Sequence, residues 1–65
     1  MKVIGVIKSY NGNYGEIKSE LGIIDFEKKD ISNDLEIKEN DVVEFRLEEK
    51  LGNIKIARNI QVMKQ

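Results

Sequence analysis

Apolar and polar residues alternate with a period of two along much of the chain, which is typical of strands with one buried face. Over residues 43–48, Val43 and Phe45 alternate with charged residues. Ile24 and Phe26 flank Asp25 in the same manner. We therefore expect strands in both segments, with Phe26 and Phe45 directed into the core.

The C-terminal part carries the same alternation, but with an interruption. Ile54 and Ile56 alternate with a lysine, and residues 60–62 repeat the pattern with another apolar pair. Arg58 falls where an apolar residue is expected. The pattern predicts a strand that buries Ile54 and Ile56, with its buried face switching at a bulge near Ala57.

Turn-forming residues separate the predicted strands. Asn11–Asn13 contains an Asn-Gly pair, Gly22 follows a polar residue and a leucine, and Lys50–Asn53 lies between two strong strand patterns. The segment 30–40 is the one stretch with room for a helical turn. This order predicts an all-β chain: a single domain over residues 1–65, folded as a small five-stranded antiparallel barrel of the OB type. An SH3-like barrel is the alternative.

The composition excludes several kinds of chemistry. The 65 residues include no Cys, His or Pro and no Trp, so we expect no disulfide, no zinc site and no histidine-based catalysis. The acidic stretch 30–41 resembles a calcium loop, but Leu35 occupies the position that requires glycine. We expect no metal, no cofactor and no enzymatic activity. The short apolar runs predict neither a membrane span nor a signal peptide, and hence a cytoplasmic protein.

Charge is distributed unevenly, although the formal net charge is only −1. Residues 1–18 carry a net charge of +2, residues 19–49 carry −7, and residues 50–65 carry +4. The two basic ends could supply a positive surface for a polyanion, whereas the acidic middle would oppose one.

Five segments, in the same order along the chain, resemble motifs of the cold-shock domain family. Residues 5–11, GVIKSYN, are similar to the family's G-x-V-K-W-F-N motif, and Tyr14-Gly15 corresponds to part of its G-F-G-F-I motif. Residues 24–31 are similar to V-F-V-H-F followed by S-A-I, residues 37–45 to L-x-E-G-x-x-V-x-F, and residues 57–60 to A-x-N-V. The resemblance covers most of residues 3–63 and implies an OB-type, cold-shock-like barrel that binds single-stranded RNA or DNA.

The chain departs from this family where the family stacks bases. Tyr14 remains as an exposed aromatic, with Tyr10 as its neighbour. Four other stacking positions carry small or acidic residues, namely Ser9, Glu16, Asp25 and Glu27. Each lost platform removes about 1–3 kcal/mol of stacking per base, so only weak binding is expected.

Our main hypothesis is weak, largely sequence-independent binding of single-stranded nucleic acid by a monomer or weak homodimer. Tyr14 would stack on a base, Tyr10 would flank it, and Lys8 would contact a phosphate. Further phosphate contacts are expected from Lys28, Lys55 and Arg58. The simpler interpretation is that the tyrosines are half-buried sheet residues and that the basic residues are solvated.

The alternative hypothesis is a protein-interaction module on the same scaffold. It would bind a partner, or a second copy of itself, through its acidic outer positions and a strand edge. Glu16, Asp25 and Glu27 distinguish the two hypotheses, because their presence on the binding face favours the protein partner.

Overall fold

Five strands make up most of the chain. The computed structural model describes residues 1–34 and 36–63, so Leu35 lies outside the described residues. The strands are β1 (Lys2–Tyr10), β2 (Tyr14–Ser19), β3 (Gly22–Glu27), β4 (Val42–Lys50) and β5 (Ile54–Val62). The predicted turns at Asn11–Asn13, before Gly22 and within Lys50–Asn53 are confirmed.

The strands form a closed barrel in the order β1-β2-β3-β5-β4, with β4 pairing back to β1. The β1–β2, β2–β3, β4–β5 and β1–β4 pairs are antiparallel, while β3 and β5 run parallel. The predicted five-stranded barrel is confirmed, and its strand order is consistent with the OB type.

Aliphatic and aromatic side chains from every strand fill the barrel. Phe26 and Phe45 are buried, which confirms their predicted core positions. The other buried hydrophobic residues are Ile7, Ile17, Ile24, Ile31, Ile37, Val43, Ala57 and Ile60. Because most of these are β-branched, they suit both the extended backbone and a narrow interior.

Gly15 provides the closest approach between the β1–β2 sheet and the core. A Cβ atom at this position would lie 2.6 Å from Cε1 of Phe26 and 2.7 Å from the carbonyl oxygen of Ser9. Since real Cβ atoms do not approach other atoms so closely, a side chain here would displace the Phe26 ring or the β1 backbone.

A bulge in β5 changes which residues face inward. Arg58 lies opposite Arg46 and Gln61 lies opposite Glu44, so two β5 residues oppose the single residue between those partners on β4. Asn59 takes a positive φ of 53° at this point. The inward positions are therefore Ala57 and Ile60, three residues apart.

The predicted burial of Ile54 and Ile56 is wrong. Ile54 is 56% exposed and Ile56 is only half-buried. Because the one extra residue at the bulge inverts the alternation, Ala57 shares the inward face with Ile60, and the two isoleucines project outward. The buried face does switch within β5, as predicted. Before the switch, however, the buried residue is Ala57 and not Ile54 or Ile56.

The connection from β3 to β4 contains two short 3₁₀ turns, Lys28–Asp30 and Ser32–Asp34. This confirms that the described part of the segment holds short helical turns and no longer helix. Among the described residues, no helix is long and apolar enough to cross a membrane.

Candidate interaction groove

An open groove of about 560 Å³ lies on the outer face of β2 and β3. Its sides are formed by the β1–β2 turn and by the start of β5, and Phe26 and Gly15 contribute to its floor. This volume is in the range of roughly 300–1,000 Å³ found for ligand-binding clefts. The β2–β3 face and the loops beside it are also where OB barrels bind linear ligands.

Tyr14 stands at one end of the groove and is held there by the β1–β2 turn. The Asn11 side-chain oxygen accepts hydrogen bonds from the backbone N–H groups of Asn13 and Tyr14, at 2.9 and 2.8 Å. Gly12 supplies the positive φ, 96°, that the turn requires. The Tyr14 side chain is 63% exposed and forms part of the groove lining. The turn thus presents an aromatic ring to solvent from a fixed backbone.

Tyr10 has a different environment. Its ring stacks on Phe26 with centroids 5.5 Å apart and planes 26° apart, and the residue packs partly buried against the core. Tyr10 therefore supports the floor of the groove and is not among the residues that line it.

Three carboxylates share the groove with Tyr14, and we refer to Glu16, Asp25 and Glu27 as the carboxylate cluster. All three line the groove. Strand pairing explains their proximity, since Glu16 lies opposite Asp25 and Tyr14 lies opposite Glu27. Among the described residues that line the groove there is no lysine or arginine, so the potential within it is negative.

The carboxylate cluster is only lightly neutralised. The Ser9 hydroxyl donates to Glu16 at 3.4 Å, and the Lys29 ammonium lies 3.6 Å from Glu27. In the described part of the chain, no cationic side chain pairs with Asp25. The cluster can therefore accept a cation from a ligand.

Ile54 and Ile56 form the apolar side of the groove. Sequence reasoning missed them as surface residues because it assigned them to the core. The break in the apolar alternation at Arg58 was the available signal, because it indicated that the buried face of β5 changes and that some of its apolar residues point outward.

The basic residues predicted to contact a ligand do not meet in one patch. Lys8 is exposed at the irregularity in β1, between Ile7 and Ser9. The Lys28 backbone N–H donates to the Asn13 carbonyl at 2.9 Å, which places this exposed lysine beside the β1–β2 turn. Lys55 alternates with Ile54 and Ile56, so its side chain extends from the side of β5 opposite to the groove.

Arg58 is engaged by two carboxylates. Its Nη1 donates to Oδ1 of Asp30 at 3.3 Å, and its Nε lies 3.5 Å from the carboxylate of Glu48. The Asp30 side chain is buried and also accepts the backbone N–H of Glu27 at 2.9 Å. Of the six residues predicted for nucleic-acid contact, Tyr14 alone lines the groove.

We expect Asp30→Ala to destabilise the barrel by about 1–3 kcal/mol, because the Glu27 N–H and Arg58 would each lose an acceptor in a partly buried site. Urea unfolding followed by far-UV circular dichroism measures the change. Glu48→Gln is the control, with an expected cost below about 1 kcal/mol because that carboxylate is exposed. Equal losses in the two variants would contradict the assignment of Asp30 as the stabilising partner.

Clusters of side chains suited to a metal ion are absent from the described residues. Comparison with known proteins gives no assignment, since no protein-family model matches the chain and no curated protein matches it significantly. A functional proposal for this barrel therefore depends on the chemistry of the groove.

Proposed function

We propose that the barrel is a protein-interaction module whose groove binds a partner segment that carries arginine or lysine beside an apolar side chain. The observation that carries the proposal is that Glu16, Asp25 and Glu27 line the same groove as the exposed Tyr14. These carboxylates are the feature that distinguishes a protein partner from a nucleic acid.

The chemistry of the groove is complementary to a guanidinium group. A planar guanidinium can stack on the face of Tyr14 while it donates paired hydrogen bonds to a carboxylate. The exposed Ile54 and the half-buried Ile56 offer apolar surface to the neighbouring side chain. A phosphate backbone in the same place would be repelled by the carboxylate cluster, above all by Glu16 and Asp25, since Glu27 is paired with Lys29.

The second candidate is the weak binding of single-stranded RNA or DNA by a divergent cold-shock-like barrel. It is supported by the exposure of Tyr14 on the face that OB barrels use for oligonucleotides. Lys8 and Lys28 would supply phosphate contacts from outside the groove. The expected affinity is low, because one exposed aromatic replaces the series of stacking platforms that single strands normally require.

A charge reversal tests the two candidates together, because it is expected to change their affinities in opposite directions. The variant Glu16→Lys/Asp25→Lys should bind a short peptide in which an arginine and a leucine lie two residues apart about tenfold or more weakly than the unmodified protein. The same variant should bind an oligothymidylate more tightly at low salt. Tyrosine fluorescence reports both titrations, since Tyr10 and Tyr14 are the sole tyrosines and the chain has no tryptophan.

The matched control is Glu20→Lys/Glu39→Lys, which changes the net charge equally at exposed positions outside the groove lining. Its affinity for the peptide should stay within about threefold of that of the unmodified protein. This result would show that the loss in Glu16→Lys/Asp25→Lys comes from the position of the charges and not from the net charge. If the unmodified protein binds the oligothymidylate and not the peptide, the nucleic-acid candidate replaces our proposal.

A further inference from the structure

The barrel is closed unevenly where β3 meets β5, a junction that we call the seam. β2 and β3 pair along their whole length, from Tyr14 opposite Glu27 to Ser19 opposite Gly22. Across the seam, β3 and β5 pair in parallel at a single position, Asp25 with Ile56. Beyond that pair, the described residues of β3 and β5 form no further backbone pairing with each other.

The seam is closed at the end that follows Asp25 and Ile56. There the Asp30 carboxylate binds Arg58 at 3.3 Å, and Ile31 forms a parallel bridge with Ile60. No such link is found before Asp25 and Ile56 among the described residues. Gly22–Ile24 and Ile54–Lys55 thus have strand partners on one side only, β2 and β4 respectively.

The open end of the seam presents a strand edge flanked by apolar residues. Ile23 is 44% exposed and Ile54 is 56% exposed, on opposite sides of the opening. Closure of a barrel normally removes free edges, and an edge that remains available can accept another strand. The seam also adjoins the groove, since Asp25, Ile54 and Ile56 belong to both.

We infer that the free edge of β3 at Gly22–Ile24 is the backbone docking site for the partner segment, which joins the sheet as an additional strand. This inference rests on the proposed function and takes the same basic partner. Because side chains alternate along a strand, residues i and i+2 of the segment face outward together. One of them, an apolar residue, contacts Ile23 and Ile54, and the other, an arginine or lysine, binds Asp25.

Backbone methylation of the arginine–leucine peptide tests this inference, because alternate amides of a strand point to opposite edges. Two methylated peptides are compared with the parent peptide, one modified at the odd-numbered amides and one at the even-numbered amides. We expect one methylated peptide to lose about tenfold or more in affinity and the other to bind within about threefold of the parent.

The outcomes separate this inference from the proposed function. If the parent and both methylated peptides bind equally, the groove binds side chains alone and strand addition is wrong. If the parent fails to bind, both proposals are overturned. Sedimentation velocity detects a further outcome. If the chain forms a homodimer that dissociates when the peptide is added, the edge of β3 binds a second copy of the chain, and the choice of partner is overturned.

Amide hydrogen exchange of the protein decides the case in which both methylated peptides bind weakly. The parent peptide should slow exchange within Gly22–Ile24 and leave the amides of Leu51 and Gly52, in the exposed β4–β5 turn, unchanged. Protection within Gly22–Ile24 supports strand addition, and its absence there overturns it.

Discussion

Phe45→Ala should lower the free energy of unfolding by about 3–5 kcal/mol, the usual cost of truncating a large aromatic core residue. Phe45 is 1% exposed and is the largest of the fully buried side chains. A domain of this length has a total stability of roughly 3–10 kcal/mol. The loss is thus a large fraction of the total, and we expect the variant to unfold at a much lower urea concentration, as measured by urea titration with far-UV circular dichroism.

Leu51→Ala is the matched control for Phe45→Ala. Leu51 lies at the tip of the β4–β5 turn and is 96% exposed, so its truncation should change stability by no more than about 0.5 kcal/mol. A Phe45→Ala variant as stable as Leu51→Ala would contradict the position of Phe45 in the core.

Gly15→Ala is expected to have the second largest effect, because the added methyl group has no room. Its contacts with the Phe26 ring and the Ser9 carbonyl should cost about 1–3 kcal/mol through overpacking. Displacement of Phe26 would also disturb the Tyr10 ring stacked on it and the floor of the groove. Urea unfolding and the peptide titration should therefore both show a loss.

A second substitution identifies the cause of that loss. In Gly15→Ala/Phe26→Leu the smaller side chain relieves the contact with the ring, so the double variant should be more stable than the sum of the two single losses predicts. If the losses of stability in the two single variants add strictly in the double variant, the Phe26 ring is not the group that clashes with the added methyl group.

The fold was predictable because its signals are local. Alternation around Phe26 and Phe45 fixed the faces of β3 and β4, and the glycine and asparagine residues marked the turns. In β5 the same reasoning was wrong for Ile54 and Ile56. Alternation places Ile54 and Ile56 on the same face as Ile60, but the extra residue at the bulge near Asn59 reverses the faces, so that Ile60 points inward and the two earlier isoleucines point outward.

The candidate site was predictable only in part. The positions of Glu16, Asp25 and Glu27 followed from placing Phe26 inward, since neighbours on a strand point to the opposite face. The sequence could not show that Arg58 is held by Asp30, which lies far from it in the chain. The open end of the seam was also hidden, because the extent of pairing between two distant strands depends on how the whole barrel closes.

The pairing of β1 with β4 has a consequence for biosynthesis. Lys2 lies opposite Arg46, so the first strand acquires one of its two neighbours only after synthesis has passed through β2 and β3 and reached β4. During translation the emerging hairpin of β1 and β2 therefore carries an unsatisfied backbone edge. Such distant contacts slow folding, and the nascent protein would depend on its many charged residues to avoid aggregation before release from the ribosome.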